Sequence, residues 1–113
     1  MDAPGFHEGR HYTEWVDTVK ELKREGRLDE ALTLLHGLVA ATEAESQAEG
    51  FGVAPWYYEQ IAVIHRQRGD IASEVANLER YDRVPHAPGA KPPRLAERLD
   101  MARDLLRTSP KEG

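Results

Sequence analysis

The sequence predicts an all-α chain. Apolar residues recur at spacings of three and four through five segments, glycine or proline punctuates the junctions, and no alternating run is long enough to anchor a sheet. The first helix is expected from about Tyr12 to Glu25, with Trp15, Val19 and Leu22 on one stripe, and stops at Gly26, where a left-handed cap is cheap. The second starts near Leu28 and reaches about Ala48. Leu28, Ala31, Leu32, Leu35, Leu38 and Val39 share a face, and Asp29 and Glu30 suit the positive end of the helix dipole. Gly50 to Pro55 breaks the pattern as a turn, Phe51 to Val53 included, and Pro55 fits the opening of the next helix, where a missing N–H costs nothing.

The third helix, Trp56 to Arg68, is apolar around much of its circumference through Trp56, Tyr57, Tyr58, Ile61, Ala62, Val63 and Ile64, as expected of a helix packed on more than one side. Gly69-Asp70 ends it. The fourth follows from Ile71 to about Arg83, with Ile71, Val75, Leu78 and Tyr81 facing inward. Residues 84–93 carry four prolines, which lack donors and favour extended backbone, so they are expected as a connector. The last helix, Arg94 to Arg107, places Leu95, Leu99, Ala102 and Leu106 on one face. Residues 1–11 and 108–113 are expected as flexible tails.

A chain of 113 residues is one ordinary domain. The absence of cysteine excludes disulfides, thiolate nucleophiles and cysteine-based metal sites. A net charge of −5 disfavours a nucleic-acid module with a broadly basic surface. No stretch approaches the roughly 18 to 20 apolar residues that span a bilayer, and the start of the chain lacks a secretion signal, so a cytoplasmic location without membrane association is expected. No Gly-rich phosphate loop or nucleophile elbow occurs, and no cofactor is expected.

Aligning the turns at Gly26 and Gly69 reveals an internal repeat, in which Trp15 matches Tyr58, Leu28 matches Ile71 and Leu35 matches Leu78. These units resemble tetratricopeptide repeats, whose first helix opens with a bulky aromatic and whose turn glycine precedes a second helix containing a small residue. The first copy matches through Trp15, Gly26, Asp29-Glu30-Ala31 and Leu35. The second matches through Tyr58, Ala62, Gly69-Asp70 and Leu78, but Glu74 stands where the small residue is expected, so its carboxylate must reach solvent or find a partner. The two glycines lie 43 residues apart against a repeat of about 34 residues, a difference that about two extra turns in the second helix would absorb. The resemblance implies two antiparallel helical hairpins over residues 12–83, wound as a right-handed α–α superhelix, with the last helix as a cap.

The resemblance also implies a function, the binding of a partner protein on the concave face lined by the first helix of each unit. The positions carried over are Thr13, Val16, Lys20, Lys23 and Arg24 from the first unit, and Trp56, Glu59, Val63, Arg66 and Gln67 from the second. Helical spacing independently puts Val16, Lys20, Lys23 and Arg24 on one side. Such a face would attract an acidic segment, with arginines gripping carboxylates and Trp56 or Val63 adding apolar contact. The plainer alternative is that Lys20, Lys23, Arg24 and Arg66 are a solvated face, with Lys20 and Arg24 paired to Asp17, Glu21 or Glu59. Two further readings stand beside an adaptor or regulator. One is a self-associating structural protein, a homodimer. The other is a zinc hydrolase, because His7-Glu8-Gly9-Arg10-His11 spells H-E-x-x-H, in which His7 and His11 one helical turn apart would hold the metal. That chemistry needs a helix, whereas Pro4-Gly5 and Gly9 oppose one. Other features are expected to be structural: Trp15, Tyr58 and Ile61 as core, Glu43, Glu45 and Glu49 as a solvated acidic end, and Gly37 either as a site of close approach or as a weak point beside His36.

Overall fold

The computed structural model of the chain describes residues 3–108. Their order is a two-stranded hairpin, β1 (Phe6–His7) and β2 (Arg10–His11), a 3-10 turn (Tyr12–Trp15), and five helices: α1 (Val16–Arg24), α2 (Leu28–Glu49), α3 (Pro55–Gln67), α4 (Ile71–Asp82) and α5 (Lys91–Thr108). The all-α expectation holds apart from this small hairpin. None of these helices is long and apolar enough to cross a membrane.

The turns joining α1 to α2 and α3 to α4 close in the same way. Arg27 N–H donates to Leu22 O at 2.9 Å and Gly26 N–H to Lys23 O at 3.1 Å, while Asp70 N–H donates to His65 O at 2.9 Å and Gly69 N–H to Arg66 O at 3.1 Å. This pairing consumes carbonyls that a helix end leaves orphaned, and it needs a left-handed residue, supplied by Gly26 (φ 74°) and Gly69 (φ 73°). The two hairpin turns therefore share one backbone geometry. The two second helices differ in length, 22 residues in α2 against 12 in α4, and the excess in α2 accounts for the wide spacing of the turn glycines.

The core runs through the stack as Val19, Ala31, Leu35, Leu38, Tyr58, Ile61, Ile64, Leu78, Leu95 and Leu99. Helix α3 lies between α2 and α4 and also touches α5, which is why Tyr57, Tyr58, Ile61, Ala62 and Ile64, spread widely around it, are all buried. Thr42 is buried on α2, and its Oγ1 accepts from Ala54 N–H at 3.0 Å, satisfying the residue that caps α3.

Three expectations need correction. Helix α5 begins at Lys91, not Arg94, because Pro92 and Pro93 occupy its first turn, where N–H groups have no intrahelical acceptor anyway. Leu106 does not join Leu95, Leu99 and Ala102 in the core; it is exposed, as are Leu105 and Met101. The turn after α2 and the connector after α4 are strapped together: Val53 N–H donates to Pro85 O at 2.9 Å, and Val53 forms an isolated parallel bridge with His86. Gly52 (φ 86°) permits this approach, since a Cβ there would lie 2.5 Å from the His86 carbonyl carbon. His86 in turn stacks on Tyr81 with centroids 4.0 Å apart and donates from Nε2 to the Tyr81 carbonyl at 2.7 Å.

The expected N-terminal tail differs too. Residues 5–11 fold back onto α2, with Tyr12 N–H donating to Gly5 O at 2.8 Å. The His11 ring bridges two elements: Nε2 donates to Glu45 at 2.6 Å, while Nδ1 accepts from the Thr13 hydroxyl at 2.8 Å. Trp15 Nε1 donates to His7 O at 3.2 Å, and the Arg10 guanidinium lies 4.3 Å from the Trp15 ring centre. Gly37 is a site of close approach, for a Cβ at this position would lie 2.7 Å from His7 Nδ1 and closer still to the adjacent ring carbon. The expected C-terminal tail begins at Thr108, the last residue of α5; its remainder, 109–113, lies outside the described residues.

Gly37→Ala should therefore displace the His7 ring. The overpacking cost of about 1 to 3 kcal/mol opposes a gain of about 1 kcal/mol from helix propensity. The signature is coupling: in a double-mutant cycle followed by urea unfolding, Gly37→Ala should be less harmful in a His7→Ala background than in the wild type, and on its own it should raise amide exchange in residues 5–15. Additive effects would contradict the seat described for His7.

Candidate functional site

The face carried by α1, α3 and α5 is stitched by polar side chains. Lys23 Nζ on α1 donates to Gln60 on α3, and Lys91 Nζ on α5 donates to Glu59 on α3 at 2.6 Å. Beyond them, Arg66 of α3 and Arg98 of α5 converge on Glu74 of α4. Arg66 binds both carboxylate oxygens, Nε to Oε1 at 2.6 Å and Nη2 to Oε2 at 3.0 Å, and Arg98 Nε adds a third bond to Oε2 at 2.9 Å. The Glu74 side chain is 0% exposed, whereas Arg66 and Arg98 remain 31% and 29% exposed. The carboxylate at the small-residue position thus finds its partners inside the protein. The arginines shield it from solvent while keeping part of their own surface open.

The expected contact residues are placed unevenly. Lys20 and Thr13 are exposed, and Val16, Trp56 and Val63 are half-buried. Lys23 is half-buried too; burial lowers its pKa, opposed by the charge of Glu59. Arg24 is spent on Glu21 of its own helix. Gln67 is exposed. The structure thus brings Lys23, Glu59 and Arg66 into one polar ribbon and leaves Arg24 outside it. Sequence reasoning missed Gln60, Lys91 and Arg98. The misfit of Glu74 was the available signal that cations had to be near, but nothing local indicated that one would come from α5.

A second network ties α2, α3 and α4. Glu43 accepts from the Tyr58 hydroxyl at 2.7 Å and from Arg80 at 2.9 Å (Nε) and 2.7 Å (Nη2). Burial alone would raise the Glu43 pKa, but the bonds from Arg80 and Tyr58 outweigh it and hold the carboxyl below its ordinary range. Burial, then the bond to Glu43, drives the Tyr58 phenol well above 10. The acidic end of α2 is therefore largely internal rather than solvated, with Glu43 bound to Arg80 and Tyr58, Glu45 bound to His11, and Glu49 exposed.

The H-E-x-x-H residues lie on the β1–β2 hairpin, in the register Phe6 opposite His11 and His7 opposite Arg10. Residues opposite one another point to the same face and neighbours along a strand to opposite faces, so His7 and His11 project to different sides. The aromatic contacts agree: Phe6 meets His11 and His7 meets Trp15. One ion cannot bridge the pair in this arrangement, and no group of three potential metal ligands forms among the described residues.

No protein-family model, curated protein or solved structure matches the chain.

Glu74 has two counter-ions, Arg66 with two bonds and Arg98 with one. Arg66→Ala and Arg98→Ala should each cost about 1 to 3 kcal/mol, but the double variant should cost more than the sum, because it leaves a buried carboxylate without a counter-ion, a penalty of about 3 to 5 kcal/mol. Denaturant midpoints of the three variants test this.

Proposed function

We propose that this chain is a protein-interaction module, a degenerate pair of tetratricopeptide-like hairpins, binding an acidic segment of a partner across the face of α1, α3 and α5. The observation that carries this reading is the charge of that face. Lys20, Lys23, Lys91, Arg66 and Arg98 stand there, with Glu59 and Glu74 engaged by Lys91 and by the two arginines, on a chain whose net charge is −5. Local excess of one sign on a molecule of the other raises encounter rates with complementary partners and selects among them. Trp56 and Val63, both half-buried, add apolar surface. Met101 and Leu105, three and seven residues beyond Arg98, continue the same side of α5 and are exposed. A segment alternating carboxylates with large apolar residues fits this lining.

The arginines would act less as free grips than as a fixed positive rim, since Glu74 orients both. Lys20, which forms no ion pair with a described residue, is the freest of the cations. The cheap control is salt, because contacts between exposed charges weaken as the Debye length falls from about 10 Å at 0.1 M to about 3 Å at 1 M.

Fluorescence anisotropy with a library of acidic and acidic-apolar peptides tests the reading. The tightest binders should combine at least two carboxylates with a large apolar residue, and Lys20→Glu with Lys23→Glu should weaken them at least about tenfold, or about 1.4 kcal/mol. Arg107→Glu, at the far end of α5, should leave binding unchanged. Equal affinity for basic and acidic peptides would refute the proposal.

A further inference from the structure

On a different face of the stack, α2, α3 and α4 line an open cleft of about 400 Å³. Its walls include His36 from α2, His65 from α3, Ser73, Asn77 and Arg80 from α4, and Arg83 just past the end of α4. No carboxylate lines it. We propose that this cleft binds the phosphate group of a small phosphorylated molecule.

Four side chains able to carry positive charge converge here from three helices, on a chain that is acidic overall. Neither His36 nor Arg83 forms a side-chain hydrogen bond or ion pair with another described residue. Arg80 uses Nε and Nη2 on Glu43, leaving its Nη1 edge uncommitted. The acidic groups nearby stand outside the lining: Asp70 Oδ2 is 4.0 Å from His65 Nδ1, Glu43 is taken by Arg80, and Glu74 by Arg66 and Arg98. Arg68, also near His65, is bound to Asp29 at 2.6 Å. Asn77 is fixed by donating to Tyr58 O at 2.9 Å.

A carboxylate is a poor match for so many donors, since Glu43 is satisfied by one arginine and one hydroxyl. A phosphate monoester offers three oxygens and close to two charges at neutral pH, with a second pKa of about 6. A volume of about 400 Å³ leaves room for a small esterified group beyond the phosphate.

The imidazoles make the site responsive to pH. His36 opens to solvent at one edge, yet burial, then the charges of His65 and Arg80, lower its pKa. For His65, burial and the charge of Arg68 lower the pKa against the opposing pull of Asp70 and Glu74. In the free protein both rings are therefore largely neutral at pH 7, and a bound dianion would raise both pKa values, so binding takes up protons and tightens as pH falls.

Imidazole NMR of the full chain, titrated with inorganic phosphate, glycerol 1-phosphate and acetate at matched ionic strength, tests the site. Both phosphates should shift the His36 and His65 signals saturably, and glycerol 1-phosphate, still largely a dianion at pH 6.5, should bind severalfold more tightly there than at pH 8. Arg83→Ala should weaken glycerol 1-phosphate about tenfold, and His36→Gln should flatten the pH dependence. Lys20→Glu with Lys23→Glu should leave both unchanged, which separates this site from the peptide-binding face. Equal shifts with acetate, or undiminished affinity in both cleft variants, would overturn the proposal. So would binding of a phosphoserine peptide, or of inorganic phosphate, with glycerol 1-phosphate rejected.

Discussion

The arrangement of α3, α4 and α5 hangs on one buried carboxylate. Glu74 sits on α4 at a position that faces both neighbouring helices, and it accepts three hydrogen bonds from arginines on either side. Burying a lone ionised carboxylate costs several kcal/mol even after relaxation, so α4 cannot pack as it does unless Arg66 and Arg98 arrive together with it. An apolar residue would have filled the space at comparable stability, but apolar contacts are non-directional. The carboxylate fixes the rotation of α5 about its own axis, because only one helical phase brings Arg98 to Oε2 while turning Leu95, Leu99 and Ala102 inward.

The first half of the stack uses the same device in a milder form. Glu43 holds Tyr58 and Arg80 as Glu74 holds Arg66 and Arg98, with a carboxylate on the second helix of each hairpin drawing in donors from two other helices. Much of the cationic surface that looks available for recognition is thus partly committed to internal acids. What remains outward is the uncommitted edge of each guanidinium, held at a defined angle. That is a different resource from a set of flexible lysines, since a pre-oriented donor loses less freedom when it meets a ligand.

Most helices were legible because their packing is one-sided and repetitive. Leu28 to Val39 and Leu95 to Ala102 advertise their buried faces by spacing, and Gly26, Gly69 and Pro55 mark boundaries that depend on local backbone preference alone. What could not be read was set by residues far apart in sequence. The hairpin at Phe6 to His11 has strands of two residues, too short for any period, and is held by Gly37 and Glu45 on a helix that begins 17 residues after His11. Helix α5 starts earlier than expected because proline is an obstacle only after the first turn. Leu106 follows the periodic stripe but is exposed, so pattern alone did not produce burial. Of the expected contact residues, Arg66 binds a carboxylate that spacing along its own helix does not point to, since Glu74 lies across the turn, eight residues away.

The seat of the β1–β2 hairpin on α2 has a consequence for biosynthesis. The hairpin is made before the helix that receives it, and its anchor at Glu45 follows His11 by 34 residues. At about 5 to 20 residues per second, that interval lasts a few seconds, longer than the microseconds in which a hairpin forms or melts. During it Tyr12 and Trp15 are without their final cover. The opening segment therefore waits for its seat, which is complete only when both Gly37 and Glu45 have been made.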